Sequence, residues 1–352
     1  MTKRRQTKQV RVGDVLIGGD APISIQSMVK ADAHNVAACV QQILELEEAG
    51  CDLVRLGFLD LESVRNISAI KKQIHIPLIA DIHFDYRFAL EALDQGFDKL
   101  RLNPGNIGGR DKVAAVVAKA KERQVPIRIG VNAGSLQKDL LKKYGGVTAQ
   151  ALVKSAAQHI KILEDLDYDQ IVVSLKSSDV ALMTAAYRLF AQKFNYPLHL
   201  GVTEAGGPLS STVKSSIGIG SLLLDGIGDT LRVSLTGDNI QEIKIGREIL
   251  KHLHLRAEPI LISCPTCSRT QWDLIPTARR VEEYLQKIKR PLTVAVMGCA
   301  VNGPGEAAAA DIGIAGGNGM GIIFVHGQVV ATVPQAQLYD ELIKRIEALP
   351  NN

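Results

Sequence analysis

The chain has 352 residues, of which 46% are hydrophobic, 22% are charged and only 4% are aromatic. This length suits one large domain with a smaller one, and the aliphatic composition with 31 glycines is typical of alternating strands and helices. The formal net charge of +4 is too small for this size to indicate a nucleic-acid partner. The basic opening Lys3–Lys8 lacks the apolar core of a secretory signal, and no run approaches the roughly 18 apolar residues of a membrane helix. We therefore expect a cytoplasmic protein that binds neither nucleic acid nor membrane, and we interpret Lys3–Lys8 as a mobile terminus.

From residue 23 to about residue 237 the sequence repeats one pattern eight times: a short apolar strand, a polar residue at its end, a turn, and an amphipathic helix. The predicted strands lie at residues 23–28, 52–57, 77–83, 99–103, 126–132, 170–176, 197–204 and 230–235. Most spacings between strands match the βα repeat length, which favours a TIM barrel over a doubly wound sheet. We interpret the longer interval at 134–150 as an extended loop, and the helix at 238–253, with Asp238 as its N-cap, as the end of the eighth unit. The sequence thus predicts an α/β fold with an N-terminal TIM (β/α)8 barrel over residues 1–253.

The pattern changes after residue 253, where residues 254–352 predict a smaller α/β domain. Its expected elements are a strand at 259–263, a helix at about 276–289, a strand at 292–298, short strands near 311–314 and 321–326, and a final helix at 335–348. The connecting segment at 254–258 is short, so it limits how far this domain can fold back onto its own barrel.

In a TIM barrel, the residues at the carboxyl ends of the strands point into the active site. Five of the residues there are cations and two, Asp81 and Glu204, are carboxylates, so the ligand should be an anion. Several arginines favour phosphate, because the planar guanidinium group matches phosphate oxygens. For any single arginine a role in a surface ion pair is equally consistent, and a structural role oriented by Asp81 is an alternative for His83. The full set is Arg55, Asp81, His83, Arg101, Asn103, Arg128, Asn132, Ser174, Lys176, Thr203, Glu204, Arg232 and Ser234.

Three cysteines converge in the second domain: the pair Cys264 and Cys267, and Cys299 at the end of an apolar run. A 4Fe-4S cluster held by three thiolates leaves its fourth iron to a weaker ligand, for which Glu306, after the turn at 302–305, is a candidate. The alternative is a structural zinc, although the nearest histidines lie outside these two loops. A disulfide suits five cysteines without a signal peptide less well. We expect the remaining cysteines, at positions 39 and 51, in the core.

These motifs together resemble the 4-hydroxy-3-methylbut-2-enyl diphosphate synthase family, the iron–sulfur enzymes of the non-mevalonate route to isoprenoids. The resemblance covers nearly the whole chain and has the bacterial two-domain form. Its motifs lie at residues 80–86 (ADIHFDY), 101–108 (RLNPGNIG), 126–136 (PIRIGVNAGSL), 199–206 (HLGVTEAG), 228–234 (GDTLRVS), 264–269 (CPTCSR) and 301–306 (VNGPGE).

The resemblance implies reductive ring opening and dehydration of 2-C-methyl-D-erythritol 2,4-cyclodiphosphate by two single-electron transfers. It implies Cys264, Cys267 and Cys299 as ligands of a 4Fe-4S cluster, with Glu306 as the exchangeable fourth. It also implies reduced flavodoxin or ferredoxin as electron donor, and a head-to-tail homodimer in which each cluster domain covers the partner's barrel. The diphosphate would be held by Arg55, Arg101, Arg128, Lys176 and Arg232, helped by Asn103, Asn132 and Ser234.

The mechanism that we expect from this resemblance uses Arg128 and the other arginines to neutralise charge as it develops on the diphosphate. Glu204 or His83 is the candidate proton donor, and Glu306 is displaced by the substrate. Two other classes stay open on sequence grounds. One is a barrel enzyme with a structural zinc that performs aldol-type chemistry. The other is a non-catalytic cluster protein that acts as a redox sensor or RNA-binding switch.

Overall fold

The structure, a computed structural model, describes residues 2–288, 290–299, 305 and 307–350. The chain forms two compact units, and the boundary between them falls between Leu253 and His254. The first is a β/α barrel and the second is a mixed sheet packed with helices, so the predicted fold class is confirmed. No helix in these described ranges is long and apolar enough to cross a membrane.

The first unit begins with a hairpin that the sequence analysis did not predict. Its antiparallel strands are β1, Val10–Val12, and β2, Val15–Ile17, and Gly13 has the positive φ of 55° that so tight a turn requires. The apolar side chains of the hairpin pack against barrel residues Leu53, Ile79 and Val172. The hairpin therefore closes the amino-terminal end of the barrel.

The basic segment before this hairpin is held in place, so the prediction of a mobile terminus was wrong. Arg4 forms an ion pair with the buried Asp229 at 3.0 Å. Arg5 donates to the carbonyl oxygens of Phe194 and Tyr196. These arginines donate hydrogen bonds to backbone carbonyls and to a carboxylate at the base of the barrel. A solvated segment would not form these contacts.

Eight parallel strands form the barrel, in the order β8-β7-β6-β5-β4-β3-β10-β9, and a bridge between Val173 and Leu198 joins the two edges of this sheet. The strands are β3 (Ser24–Met28), β4 (Leu53–Gly57), β5 (Leu78–Asp81), β6 (Lys99–Leu102), β7 (Ile127–Asn132), β8 (Ile171–Lys176), β9 (His199–Leu200) and β10 (Thr230–Leu231). The last two are shorter than the sequence predicted, although one hydrogen bond continues the ladder beyond them, from Arg232 N to Leu200 O at 2.9 Å.

Helices follow the strands and cover the outside of the barrel. They are α1 (Val36–Glu48), α2 (Leu61–Arg65), α3 (Ile67–Lys71), α4 (Tyr86–Asp94), α5 (Arg110–Arg123), α6 (Lys138–Tyr144), α7 (Ala149–Glu164), α8 (Val180–Ala191), α9 (Pro208–Leu224) and α10 (Asn239–His252). The predicted cap is confirmed, since the Asp238 side chain accepts a hydrogen bond from Ile240 N. The interval at 134–150, interpreted as a loop, contains the short helix α6, which ends at Gly145 in the left-handed conformation.

The second unit is a five-stranded sheet in the order β11-β12-β13-β14-β15, parallel across its first three strands and antiparallel beyond them. Its elements are β11 (Ile260–Ser263), α11 (Leu274–Leu285), β12 (Thr293–Met297), β13 (Ile312–Gly316), β14 (Met320–Val325), β15 (Gln328–Pro334) and α12 (Leu338–Ala348). The sequence analysis missed β15, a largely exposed edge strand that follows a two-residue turn in which His326 and Gly327 both have positive φ. Leucine, isoleucine and valine side chains of both helices and of the sheet form the core.

Candidate anion site and cysteine loops

A cavity of about 110 Å³ lies at the carboxyl ends of the barrel strands. Its position follows from the parallel arrangement, because strand ends and the loops after them meet at one face of the barrel. The lining side chains are mainly cationic or polar: Arg55, Asp81, His83, Arg101, Arg128, Asn132, Ser174, Lys176, Thr203, Arg232 and Ser234. Eleven of the thirteen strand-end residues named in the sequence analysis are thus brought together around one cavity.

Asp81 is the carboxylate at the centre of this cationic group. Its oxygens lie 3.7 Å from Arg55 Nε, 3.4 Å from Arg101 Nη1 and 3.4 Å from His83 Nε2. Burial by itself raises the pKa of the Asp81 carboxyl, but the charge of Arg55 and the hydrogen bond from His83 outweigh it and hold the pKa well below its usual range. Asp81 is therefore an anion that orients its three neighbours.

Among the described residues, Arg128 and Lys176 form no ion pair, unlike Arg55 and Arg101. Arg128 is only 1% exposed and donates from Nη1 to Ser174 Oγ at 3.0 Å. Burial lowers the pKa of Arg55 to about 10, and burial followed by the charges of Arg128 and Arg55 lowers the pKa of Lys176 well below its usual value. A bound anion would relieve this repulsion, so the site is electrostatically prepared for a polyanion.

Two glycines make room for these long side chains. A Cβ on Gly130 would lie 2.5 Å from Arg101 Nε, and a Cβ on Gly201 would lie 2.6 Å from Arg232 O and 3.0 Å from Lys176 Nζ. Real Cβ atoms do not approach other atoms this closely. Glycine at these two positions therefore leaves the space that the long cationic side chains occupy.

Two candidates from the sequence do not line this cavity. Asn103 is buried beside it, where its amide donates to Gly130 O at 3.0 Å and accepts from Gly130 N at 2.9 Å, so it ties β6 to β7. Glu204 is exposed in the loop after β9, with a left-handed backbone at φ 47°. A strand end fixes the direction of a side chain only while the strand continues, and β9 ends at Leu200.

Sequence reasoning missed a second buried carboxylate, that of Glu242 on α10. It is 1% exposed and accepts from Ser27 Oγ at 2.9 Å, while Arg232 Nη2 lies 3.3 Å from its Oε1. Glu242 lies in the first turn of α10, the helix that follows the strand of Arg232. The signal in the sequence was that Glu242 lies close in the chain to the strand-end Arg232. The sequence analysis missed it because it considered only residues of the strands.

Two larger grooves lie elsewhere on the first unit. One, of about 670 Å³, runs along the amino ends of the barrel strands, where Lys71 is paired with Asp98 at 2.6 Å. The other, of about 630 Å³, lies between α9 and α10 and is mostly apolar. Neither gathers residues from the carboxyl ends of the strands, so size alone does not identify the functional site.

In the second unit, neighbouring parallel strands bring two cysteine loops together. Cys264 directly follows β11, and its N donates to Val296 O of β12 at 3.0 Å. A Cβ on Gly298 would lie 3.3 Å from Cys264 Sγ and 2.7 Å from Thr270 Oγ1, so only a glycine lets this backbone pass so close. Cys299 is the next residue. The chain before Cys299 is therefore held against the Cys264–Cys267 loop.

The Cys264–Cys267 loop has features of a site that binds a soft metal. Thr266 adopts a left-handed backbone with φ 68°, which is unfavourable for a β-branched residue and recurs at ligand sites. Hydrogen bonds from the backbone and then the side chain of Arg269 lower the pKa of the Cys267 thiol. A lowered pKa favours the thiolate, which is the form that binds iron and zinc.

Cys264, Cys267 and Cys299 are free thiols and are at least partly exposed, whereas Cys39 and Cys51 are buried in the core as expected. Within the described ranges no group of three His, Cys, Asp or Glu side chains is close enough to hold an ion. The fourth candidate ligand, Glu306, lies outside the described residues. The donor set that is described, three thiols on two neighbouring loops, has the chemistry that iron–sulfur clusters require of their ligands.

Comparison with known proteins assigns both units to one family. A model described as the GcpE TIM-barrel domain matches residues 7–247, and one described as the GcpE protein C-terminal domain matches residues 260–348. The chain is 55% identical over 348 residues to a relative from Ruminiclostridium cellulolyticum, with 99% of each chain covered. It is 57% identical over 347 residues to one from Clostridium perfringens, with 98% of this chain and 99% of the relative covered. Both relatives are named 4-hydroxy-3-methylbut-2-en-1-yl diphosphate synthase (flavodoxin).

Solved structures of other proteins share the barrel alone. Dihydropteroate synthase from Stenotrophomonas maltophilia aligns with a TM-score of 0.52 at 14% identity, over 70% of this chain and 97% of that one. The enzyme from Xanthomonas albilineans aligns with a TM-score of 0.51 at 13% identity, over the same shares. Identities this low support the fold and not the function. The matches over both units and the relatives above half identity show that this chain belongs to the GcpE family, with its TIM-barrel and C-terminal domains.

Proposed function

We propose that this protein is a 4-hydroxy-3-methylbut-2-enyl diphosphate synthase. The reaction is the two-electron reductive ring opening and dehydration of 2-C-methyl-D-erythritol 2,4-cyclodiphosphate to (E)-4-hydroxy-3-methylbut-2-enyl diphosphate, in which a ring carbon–oxygen bond breaks and a hydroxyl leaves as water. The observation that carries this proposal is the cavity in which five cations from separate strands surround one carboxylate. The names of the relatives add support, since they describe the same activity.

The proposed role of the cavity is to hold the diphosphate. At about 110 Å³ it is smaller than the roughly 300–1,000 Å³ of sites that enclose a whole small molecule, so it accommodates the charged end of the substrate. Arg55, Arg101, Arg128, Lys176 and Arg232 supply the positive charge, with Asn132 and Ser234 as neutral hydrogen-bond donors. Their charges also stabilise the negative charge that develops on the diphosphate oxygen when the ring opens. Asn103 supports this group indirectly, through the backbone of Gly130.

In the second unit, Cys264, Cys267 and Cys299 are the proposed ligands of a 4Fe-4S cluster, with Glu306 as the fourth. Such a cluster, when bound, supplies single electrons and one iron with an exchangeable coordination position. Hydrogen bonds from the backbone and side chain of Arg269 lower the pKa of Cys267 and so favour its thiolate, the form that binds metal. The two units are thus a diphosphate-binding barrel over residues 1–253 and a cluster domain over 254–352.

His83 and Glu204 are the proposed proton donors. The His83 side chain is 57% exposed at the rim, with one ring nitrogen 3.4 Å from Asp81 and the other 3.3 Å from Arg101 Nη1. It can therefore reach both solvent and a ligand in the cavity. Glu204 is exposed in the loop after β9 and would act on a substrate that extends out of the cavity.

Reduced flavodoxin is the proposed electron donor, as in the names of the relatives, with ferredoxin as the alternative. We also propose a head-to-tail homodimer in which the partner's cluster domain covers the cavity. Large apolar side chains in the segments after three barrel strands support a docking surface there: Leu59 and Phe84 in loops and Leu209 in the first turn of α9 are 84%, 76% and 80% exposed. A cytoplasmic location agrees with these soluble donors and with free thiols.

The test is turnover of the cyclodiphosphate by anaerobically purified protein with reduced flavodoxin, followed by detection of the linear diphosphate product. We expect product with the complete system and none without the reductant. Replacement of His83 by Gln and of Glu204 by Gln, one at a time, separates the proton donors: the donor's variant loses turnover by orders of magnitude while it keeps substrate affinity. A complete system that leaves the cyclodiphosphate unchanged contradicts the proposal.

A further inference from the structure

The interior of the barrel beneath the cavity is polar, although such interiors are usually filled by branched aliphatic side chains. Gln26, Arg128 and His199, on β3, β7 and β9, are at most 1% exposed. They come from alternate strands of the barrel, and inward side chains of alternate strands share one layer. Lys99 on β6 is also fully buried. Four long polar side chains thus occupy the centre of the barrel.

Lys99 is enclosed between apolar packing and other cations. It is paired in register with Ile79, which packs against the hairpin that closes the base of the barrel. Burial lowers the pKa of Lys99 well below its usual value, and the charges of Arg128 on β7 and Arg55 on β4 lower it further. Within the described part of the chain its Nζ has no hydrogen-bond partner.

Among the described residues around Lys99, the carboxylates are already paired with other cations. On β9, His199 is neutral, because burial and then the charge of Arg128 depress its pKa well below its usual value. Asp81 on β5 is already paired with Arg55 and Arg101, and Glu242 on α10 is paired with Arg232. A buried ammonium without a counter-charge is costly, so the free amine is the favoured form when the cavity holds no anion.

We propose that Lys99 is a sixth cation of the anion site, one that takes up a proton from solvent when a phosphate anion binds in the cavity above it. The inference rests on the proposed diphosphate-binding function of that cavity. The proton bonds to the lone pair of the Lys99 amine and no other bond changes. The negative charge of the ligand offsets the repulsion from Arg128 and Arg55, which adds to the larger effect of burial in keeping the amine neutral beforehand.

Arg128 links Lys99 to the cavity. Its Nη1 donates to Ser174 Oγ, which lines the cavity, while its Nε and Nη2 have no partner among the described residues. The side-chain amide of Gln26 and Nε2 of His199 are likewise unpaired there. Buried polar atoms of this kind are normally satisfied by internal water, and a chain of such water is the route that the proposal requires for the proton.

The experiment measures the number of protons taken up when inorganic pyrophosphate binds to anaerobically purified full-length protein. Calorimetric titrations at pH 8 in two buffers with different ionisation enthalpies give this number directly. Lys99→Met removes the titrating group at nearly constant length, and Lys99→Gln is a second variant that keeps a polar side chain. Lys154→Met, at an exposed position on α7, is the matched control. Protonation of pyrophosphate itself is common to all four proteins and cancels in the comparison.

We expect the wild type and Lys154→Met to take up the same number of protons, and both Lys99 variants to take up fewer, by about 0.5 or more per bound pyrophosphate. Equal uptake by the wild type and a folded Lys99 variant, with pyrophosphate bound in both, would overturn the role of Lys99 and leave the proposed function intact. If the wild type does not bind pyrophosphate at all, the proposed function of the cavity fails and the inference fails with it.

Discussion

Replacement of Lys176 by methionine should make the protein more stable and its anion site weaker. Lys176 is 5% exposed, its Nζ lies near Gly201 at the cavity wall, and Arg55, Arg101, Arg128 and Arg232 all oppose its charge. No carboxylate of the described residues forms an ion pair with it. Methionine has similar length and carries no charge, so it fills the same space and removes the repulsion.

The gain in stability and the loss of pyrophosphate affinity can each be given a magnitude. Replacement of a buried ion pair or triad by apolar side chains of similar volume is neutral or stabilises proteins by about 1–4 kcal/mol, and we expect an effect in this range for the unpaired Lys176. For a barrel of this size, about 2 kcal/mol raises Tm by roughly 4–8 °C. A hydrogen bond to a charged partner contributes roughly 1.5–3 kcal/mol, so its loss should weaken pyrophosphate binding by roughly 10- to 150-fold.

The assay combines thermal unfolding of the ligand-free protein with calorimetric titration of pyrophosphate, and Lys154→Met is the control for loss of a lysine at the surface. A higher Tm together with weaker binding supports a site whose charge conflict is relieved by its ligand. A lower Tm with unchanged affinity would show that Lys176 has a structural role, and would refute the electrostatic reasoning.

Three further changes test other parts of the structure. Gly201→Ala places a methyl group 2.6 Å from Arg232 O and should destabilise the barrel by about 1–3 kcal/mol and weaken pyrophosphate binding. Gly207→Ala, with no atom within 4 Å of its Cβ, should leave binding unchanged and lower stability by less, because Gly207 is only the N-cap of α9. Equal unfolding and binding curves for the two variants would contradict this. Cys264→Ser should lower the iron content after anaerobic purification, whereas Cys39→Ala, in the core of the barrel, should keep the iron content of the wild type. Full iron in the serine variant would exclude Cys264 as a ligand. The pKa of Lys99 is lowered in the folded state, so the unfolded chain binds more protons between that pKa and about 10.4. The stability of the wild type relative to Lys99→Met should therefore rise with pH in this window, by up to about 1.4 kcal/mol per pH unit. A pH-independent difference between their denaturation curves would argue against a neutral Lys99.

The barrel and its strand-end residues could be predicted because both depend on short-range regularities. The alternation of strand and helix is a periodic pattern, and parallel strands necessarily bring their carboxyl ends to one face. Arg55, Arg101, Arg128, Lys176 and Arg232 therefore meet in the structure although they are far apart in the chain. Their roles in binding and catalysis stay predictions.

What could not be predicted depends on contacts across the chain. The hairpin β1–β2 is apolar but short, and only its packing against Leu53, Ile79 and Val172 shows that it closes the barrel. Glu204 was placed at a strand end, but β9 stops at Leu200 and leaves it exposed. Glu242 and Lys99 were overlooked because a charged residue in an amphipathic helix or near the start of a strand is ordinarily solvated, and only the folded barrel buries them.

The most direct test of the account is the iron and sulfide content of the anaerobically purified protein, measured together with its absorption spectrum before and after addition of 2-C-methyl-D-erythritol 2,4-cyclodiphosphate. The account predicts about four iron and four sulfide per chain, and a spectrum that changes when the cyclodiphosphate binds. Protein that contains no iron, or one zinc and no sulfide, would contradict it.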